Sequence, residues 1–242
     1  MHLITRAQTT YAISPHAVPQ FQTEQFEPSW WRARNTFTGQ SVGRGTTWFL
    51  RLEDKELVLR HYYRGGLVGQ LLGDRYLFNG IHNSRAVVEC ELLINMQHQG
   101  LPVPKPWAVR IQRSGIFYRM DILLERIHQA QDLVHLLRQQ ALTAAQWQMI
   151  GQTIRRFHQA GIDHADLNAH NILMDQAQQA WLIDFDKGRQ RSAGKWQQHN
   201  LDRLLRSLRK EAALHTVFNW QPADWQALLA GYQRFQIPDS PC

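Results

Sequence analysis

With 242 residues, 43% of them apolar and 19% charged, the chain can bury the core of one large domain or two small ones, which excludes a disordered polypeptide. Its net charge of +7, with a sequence pI near 9.8, favours acidic partners (nucleotide phosphates, nucleic acid, anionic lipid or an acidic sugar) without choosing among them. Cys90 and Cys242 form no metal spacing or disulfide framework, residues 1–20 lack a signal-peptide core, and no stretch approaches the roughly 18 apolar residues of a membrane span, so a soluble or surface-attached protein in a reducing compartment is expected.

Residues 1–30 are mixed, carry Pro15, Pro19 and Pro28, and read as an N-terminal extension. Two β-type runs, residues 46–52 and 57–62, flank the polar turn Glu53-Asp54-Lys55-Glu56 and predict a hairpin. Alternation puts Arg60 on the face of Val58 and Tyr62. Residues 84–99 predict a helix capped by Ser84, with Val88, Leu92 and Met96 at four-residue spacing. Gly100 is placed to end it, and Pro102 and Pro104 forbid its continuation. Residues 116–124 are apolar enough for a buried strand, followed by Glu125-Arg126-Ile127.

Thr143 opens the clearest helix, because Thr143 and Gln146 make a capping-box pair. Trp147, Ile150, Ile154 and Phe157 mark one face of it, and Gly161 suits its end. His164-Ala165-Asp166 follows, then Asn171-Ile172-Leu173-Met174, a turn at 175–179, Trp181-Leu182-Ile183 and Asp184. Residues 201–210 are amphipathic, with Leu201, Leu204, Leu205 and Leu208 opposite Arg203, Arg206, Arg209 and Lys210. The pattern predicts an α+β protein: a β-rich first part with one main helix, then a mostly helical second part, joined near Leu124. The expected divisions are an extension over 1–30, a first lobe over 31–127 and a second over 128–242.

The stretch His164-Ala165-Asp166-Leu167-Asn168-Ala169-His170-Asn171, with Ile183-Asp184-Phe185-Asp186 after it, suits phosphoryl transfer from ATP. That reaction needs a carboxylate near the attacking hydroxyl and hard oxygen ligands for Mg²⁺. Asp166 suits the first role, and Asn171 and Asp184 the second. Taken singly, Asp166 and Asn171 read rather as turn caps and Asp184 as a strand end; it is the ordered set that points to the chemistry. The six-residue spacing of His158, His164 and His170 matches no zinc signature; His164 reads as orienting the loop and His158 as packing at the helix end.

His-x-Asp-x-x-x-x-Asn followed by Asp-Phe resembles the catalytic loop and metal-binding turn of the protein-kinase superfamily, which implies a protein-kinase-like bilobal fold. By that resemblance, Gly43-Arg44-Gly45 looks like part of a glycine-rich phosphate loop, with a plain turn as the alternative. Gly43, Gly45, Arg60 and Glu89 become the expected ATP-binding residues. Arg60 stands where the superfamily usually has a lysine, and its ion-pair partner is Glu89, or alternatively Glu91. Leu124 to Ile127 would offer backbone groups to adenine. Ala165 replaces the usual arginine, Asp186 the usual glycine, and no Ala-Pro-Glu segment is present, all of which argues against protein substrates.

The chain is also similar to the 3-deoxy-D-manno-octulosonic acid (Kdo) kinase family of lipopolysaccharide assembly. The resemblance is carried by Val58-Leu59-Arg60-His61-Tyr62-Tyr63-Arg64-Gly65-Gly66, Gly100-Leu101-Pro102-Val103-Pro104-Lys105-Pro106, residues 164–173 and Ile183-Asp184-Phe185-Asp186-Lys187-Gly188. It implies transfer of the ATP γ-phosphate to the 4-OH of Kdo on Kdo-lipid IVA, with Mg²⁺. It also implies peripheral attachment to the cytoplasmic face of the bacterial inner membrane, with neither a nucleic-acid nor an obligate protein partner. The basic residues Lys187, Arg189, Arg191, Lys195, Arg203, Arg206, Arg209 and Lys210 could meet a sugar carboxylate, lipid phosphates or an anionic leaflet, or form a solvated face. Trp30, Trp31 and Trp196 read as interfacial or simply buried. Two other readings stand beside this one: an aminoglycoside-type small-molecule kinase, and a non-catalytic pseudokinase or nucleic-acid binder.

Overall fold

The computed structural model describes residues 1–42, 46–64 and 73–234; Gly43 and Gly45 of the expected phosphate loop, with Gly65, Gly66 and Cys242, lie outside them. The chain divides into two compact units, Met1–Asn95 with Pro104–His128, and Met96–Val103 with Gln129–Cys242.

The first unit is built on one eight-stranded sheet. Its strands are β1 (His2–Arg6), β2 (Thr9–Ile13), β3 (Phe37–Val42), β4 (Thr46–Leu52), β5 (Lys55–His61), β6 (Tyr76–Leu77), β7 (Pro106–Ser114) and β8 (Phe117–Glu125). The spatial order is β1-β2-β7-β8-β5-β4-β3, with β6 also paired to β8. The predicted hairpin is β4–β5, and β8 matches the expected buried strand. Along β5 the alternation buries Leu57 and Leu59 and leaves Val58 and Arg60 half-covered.

Residues 1–30 correct the sequence reading. They are no loose extension: β1 and β2 form a hairpin, and β2 pairs with β7 from Thr9↔Gln112 to Ile13↔Ala108. Tyr11, Ile13, Ala17 and Phe26 enter one buried cluster with Trp31, Leu50, Leu57, Leu59, Trp107 and Leu123. Two of the three prolines that suggested irregular chain occupy first-turn positions, Pro15 in a 3₁₀ helix and Pro28 in α1 (Pro28–Ala33), where a missing N–H costs nothing, and Pro19 lies inside the same 3₁₀ helix as Pro15. Trp31 is fully buried and donates from Nε1 to the Gln25 carbonyl at 2.8 Å, which removes it from any lipid interface.

Helix α2 (Arg85–His98) carries the first unit's helical face. Ala86, Cys90 and Leu93 lie at i, i+4 and i+7 and are buried, whereas Val88, expected inside, is 44% exposed. Leu92 and Met96 are buried as expected; four-residue steps outrun the 3.6-residue period, so the series starts off the buried face at Val88 and reaches it by Leu92 and Met96. Ser84 precedes the helix and its carbonyl accepts the first bond, from Val88, but its buried hydroxyl makes no capping bond.

In the second unit, β9 (Gln131–Asp132) leads into α3 (Leu133–Gln139), then α4 (Ala144–Gln159), β10 (Ile162–Asp163), β11 (Ile172–Met174), β12 (Ala180–Leu182), β13 (Arg189–Gln190), α5 (Trp196–Leu214) and α6 (Pro222–Arg234). The Thr143–Gln146 capping box is formed, and Trp147, Ile150, Ile154 and Phe157 are all buried. Gly161 ends α4 at φ 73°, where an added Cβ would stand 2.6 Å from the Arg191 carbonyl. Antiparallel pairing of β11 with β12 returns the chain so that Asp184 follows directly. No helix among the described residues is long and apolar enough to cross a membrane.

Candidate active site

In the first unit, Arg60 Nη2 donates to both oxygens of Glu89, each at 2.7 Å, and the Tyr62 hydroxyl also hydrogen-bonds Glu89. The open choice between two glutamates is thereby resolved: Glu89 is buried on the face of α2 that meets the sheet, and Glu91 is exposed. A buried carboxylate is tolerated only with such partners. Arg60 keeps about a quarter of its side chain in solvent, so a cation is fixed at the sheet surface.

In the second unit, one loop gathers the other three residues. The Asn171 side-chain amide donates to the Asp166 carbonyl at 3.1 Å, and the Ile183 N–H donates to the Asn171 carbonyl at 3.1 Å. Asp166, Asn171 and the residue preceding Asp184 therefore belong to one hydrogen-bonded assembly. Ala165 and Asp184 both sit in the left-handed region, at φ 58° and 65°. Such conformations cost a non-glycine residue about 1–3 kcal/mol each and gather where a site demands them.

His164 holds the two halves of this loop together. Its Nε2 donates to the Ile183 carbonyl at 2.9 Å, and burial pushes its pKa down, so the ring is neutral and one nitrogen carries the donated proton. Its ring lies 4.5 Å from the buried Phe185, which stacks on Phe157 of α4. The expected orienting role of His164 is thus given a geometry.

A set of anchors escaped the sequence reading. Asp163 is buried; burial opposes its ionisation, but hydrogen bonds from Asn200 and Arg191, the Ala165 N–H and Arg189 hold its carboxyl below the usual range. Asn200 also accepts from the His164 N–H at 3.2 Å, and Ser207 Oγ accepts from the Ala169 N–H at 3.1 Å. Arg203 donates from Nε to Asp166 Oδ1 at 2.8 Å and also reaches that oxygen through Nη2. Asn200, Arg203 and Ser207 follow one another at i+3 and i+4, so one stripe of α5 grips the loop over Asp163–Ala169. Trp196, at the start of α5, is buried as well. Arg189, Arg191 and Arg203, read from sequence as part of an outward basic surface, are committed to Asp163 and Asp166. Lys187, Lys195, Arg206, Arg209 and Lys210 remain exposed.

Residues 28–232 match the model of the lipopolysaccharide kinase (Kdo/WaaP) family. The chain belongs to that family. It is 45% identical over 203 residues to the 3-deoxy-D-manno-octulosonic acid kinase of Vibrio parahaemolyticus serotype O3:K6, covering 84% of this chain and 85% of that protein. The enzyme of the same name from Vibrio vulnificus strain YJ016 is 44% identical over 211 residues, covering 87% and 89%. That of Haemophilus influenzae strain PittEE is 45% identical over 220 residues, covering 88% and 91%. The protein is therefore a kinase, and its β-rich first unit and helical second unit have the protein-kinase-like α+β architecture that the motif order implied.

The donor set suits a magnesium ion. With its amide nitrogen spent on Asp166, Asn171 offers only its side-chain oxygen, and Asp184 offers a carboxylate, the hard oxygen pair that Mg²⁺ accepts alongside phosphate and water.

His158, in the last turn of α4, carries a pH signature. It is buried, with Nδ1 2.8 Å from the Tyr232 hydroxyl, and burial pushes its pKa down to about 4. In the unfolded chain a histidine titrates near 6.5. Between those values the unfolded chain binds a proton that the folded one does not, so stability falls with acidification by about 1.4 kcal/mol per pH unit. Below the folded value both states carry the proton and the effect is complete. Urea unfolding from pH 7 to 4 is expected to give His158→Phe a shallower pH dependence than the parent across this window. Parallel curves for the two proteins would contradict the assignment.

Proposed function

We propose that the protein transfers the γ-phosphoryl group of ATP to a ring hydroxyl, the 4-OH, of the Kdo sugar on Kdo-lipid IVA, in lipopolysaccharide inner-core assembly. The observation that carries this reading is the single hydrogen-bonded loop uniting Asp166, Asn171 and the strand end before Asp184, in a member of this kinase family. Relatives that share more than two-fifths of its residues over most of its length are named for the Kdo acid as acceptor.

In the proposed reaction the acceptor hydroxyl oxygen forms a bond to the γ-phosphorus as the bond from that phosphorus to the β-phosphate bridging oxygen breaks. ADP leaves, and the hydroxyl proton passes to an Asp166 carboxylate oxygen. Asn171 and Asp184 would hold Mg²⁺, which supplies charge neutralisation on the phosphates when bound. Within the first unit, Arg60, fixed by Glu89 and Tyr62, is a cation of the kind that binds nucleotide phosphate. The exposed Lys187, Lys195, Arg206, Arg209 and Lys210 support peripheral attachment to the anionic cytoplasmic leaflet of the inner membrane.

Incubating the purified protein with γ-labelled ATP, Mg²⁺ and Kdo-lipid IVA is expected to give an acceptor heavier by one phosphate, with the site located by tandem mass spectrometry. Transfer to an aminoglycoside instead, or to neither, would overturn the proposal.

A further inference from the structure

Arg203 is unusual among the residues gripping the loop. Asn200 and Ser207 donate to or accept from groups that must be satisfied once buried, namely Asp163 and the N–H groups of His164 and Ala169. Arg203 instead meets a carboxylate, Asp166, that is itself partly open, and about half of the Arg203 side chain is in solvent. An ion pair this exposed adds little to stability, and the loop is already tied to α5 by its two neighbours. Holding the loop therefore does not account for an arginine here.

The charge balance of the proposed reaction does. Any acceptor hydroxyl must come to Asp166, and an acceptor that carries its own carboxylate close to that hydroxyl brings a second negative charge against it. Both Arg203 contacts fall on the single oxygen Oδ1, through Nε and Nη2. The other Asp166 oxygen is left for the hydroxyl, and no further partner of Arg203 occurs among the described residues. With the Nε–Nη2 edge on Asp166, the Nη1–Nη2 edge is the second fork of the planar guanidinium, the kind that takes a carboxylate through two parallel hydrogen bonds.

We propose that Arg203 is a specificity-determining residue that binds the carboxylate of the acid sugar next to the hydroxyl being phosphorylated, while it remains paired with Asp166. The inference rests on the acceptor reading above and adds to it the group by which the acid is told from a neutral sugar. A neutral acceptor gains nothing from Arg203. An acid acceptor without Arg203 meets Asp166 unshielded.

The test compares two acceptors, Kdo-lipid IVA and the same lipid with its Kdo carboxyls converted to methyl esters, each assayed for kcat/KM with the parent enzyme, Arg203→Ala and Arg203→Lys. The ratio of acid to ester within one enzyme cancels any general damage to Asp166, so it isolates recognition of the carboxylate. The parent is expected to favour the acid by roughly tenfold to a hundredfold, the range of a charge-assisted pair. In Arg203→Ala the ratio falls to one or below, mainly through KM for the acid, and Arg203→Lys lies between. A parent ratio near one overturns the inference without needing any variant. So does an Arg203→Ala enzyme that loses kcat on both acceptors and keeps the parent ratio, for then Arg203 only positions Asp166. No transfer by the parent to either lipid is a different failure: it removes the acceptor reading and this inference with it.

Discussion

Replacing Asp166 by alanine is expected to lower kcat roughly 10²–10⁴-fold, the usual contribution of a positioned proton acceptor, with ATP affinity nearly unchanged. The asymmetry follows from where its contacts lie. The Asp166 backbone carbonyl, not its side chain, holds the Asn171 amide, and the Asn168 side chain donates to the same carbonyl at 2.9 Å. Truncation at Cβ leaves both bonds and so leaves the proposed metal ligand in place. What it removes is the carboxylate and the partner of Arg203. Asp166→Asn is the stricter variant, because it keeps the shape and an acceptor oxygen for Arg203 but is a poor base. Nucleotide binding by calorimetry beside the turnover assay separates the two effects. Near-normal turnover in Asp166→Asn would remove proton acceptance from the mechanism, and a loss of ATP binding in both variants would make the residue architectural.

The parts of this site that were legible in the sequence are those fixed by short-range chemistry. Thr143 and Gln146 declare the start of α4 through a local reciprocal cap, and Gly161 its end through a backbone angle that L side chains avoid. Between Asp166 and Asp184 the chain makes one hairpin, so residue order alone brings the three candidates to one loop. The N-terminal hairpin was illegible for a physical reason: β1 and β2 are five residues each, and the hairpin joins the sheet through the pairing of β2 with β7, a hundred residues later. The same holds for the grip of α5. Leu201, Leu204 and Leu208 announce an amphipathic helix, and the arginines between them look like its solvent side. Only tertiary structure distinguishes Arg203, which meets Asp166, from the exposed Arg206 and Arg209. The polar stripe Asn200, Arg203 and Ser207 beside the leucines was the available signal, since a purely solvated face has no need of its regular spacing.

The largest loss of stability from a one-carbon change is expected at Gly231. Helices α4 and α6 pack against each other, and they do so backbone to backbone. A Cβ at Gly231 would stand 2.0 Å from the Gln148 carbonyl oxygen and 2.5 Å from its Cα, and one at Gly151 would stand 2.0 Å from the Leu228 carbonyl oxygen. Those neighbours are main-chain atoms in the middle of helices, so they cannot turn aside as a side chain would. Accommodating a methyl group requires the helices to part and to loosen around Trp147, Ile150 and Leu228, all buried. Intrinsic propensity acts the other way, because alanine in a helix interior is better than glycine by about 1 kcal/mol. The steric term wins: overpacking of this kind costs about 3 kcal/mol or more at a site that cannot relax. For a chain of this size that corresponds to a fall in Tm of about 6–12 °C for Gly231→Ala, read by calorimetry. Gln226→Ala, exposed on the same helix, should change stability by no more than about 0.5 kcal/mol. If Gly231→Ala melts at or above the parent temperature, propensity has outweighed the clash and the two helices do not meet through their glycines. Because α4 leads through Gly161 into the loop that carries Asp166, the same variant is expected to lose turnover on warming at lower temperatures than the parent, in step with its melting.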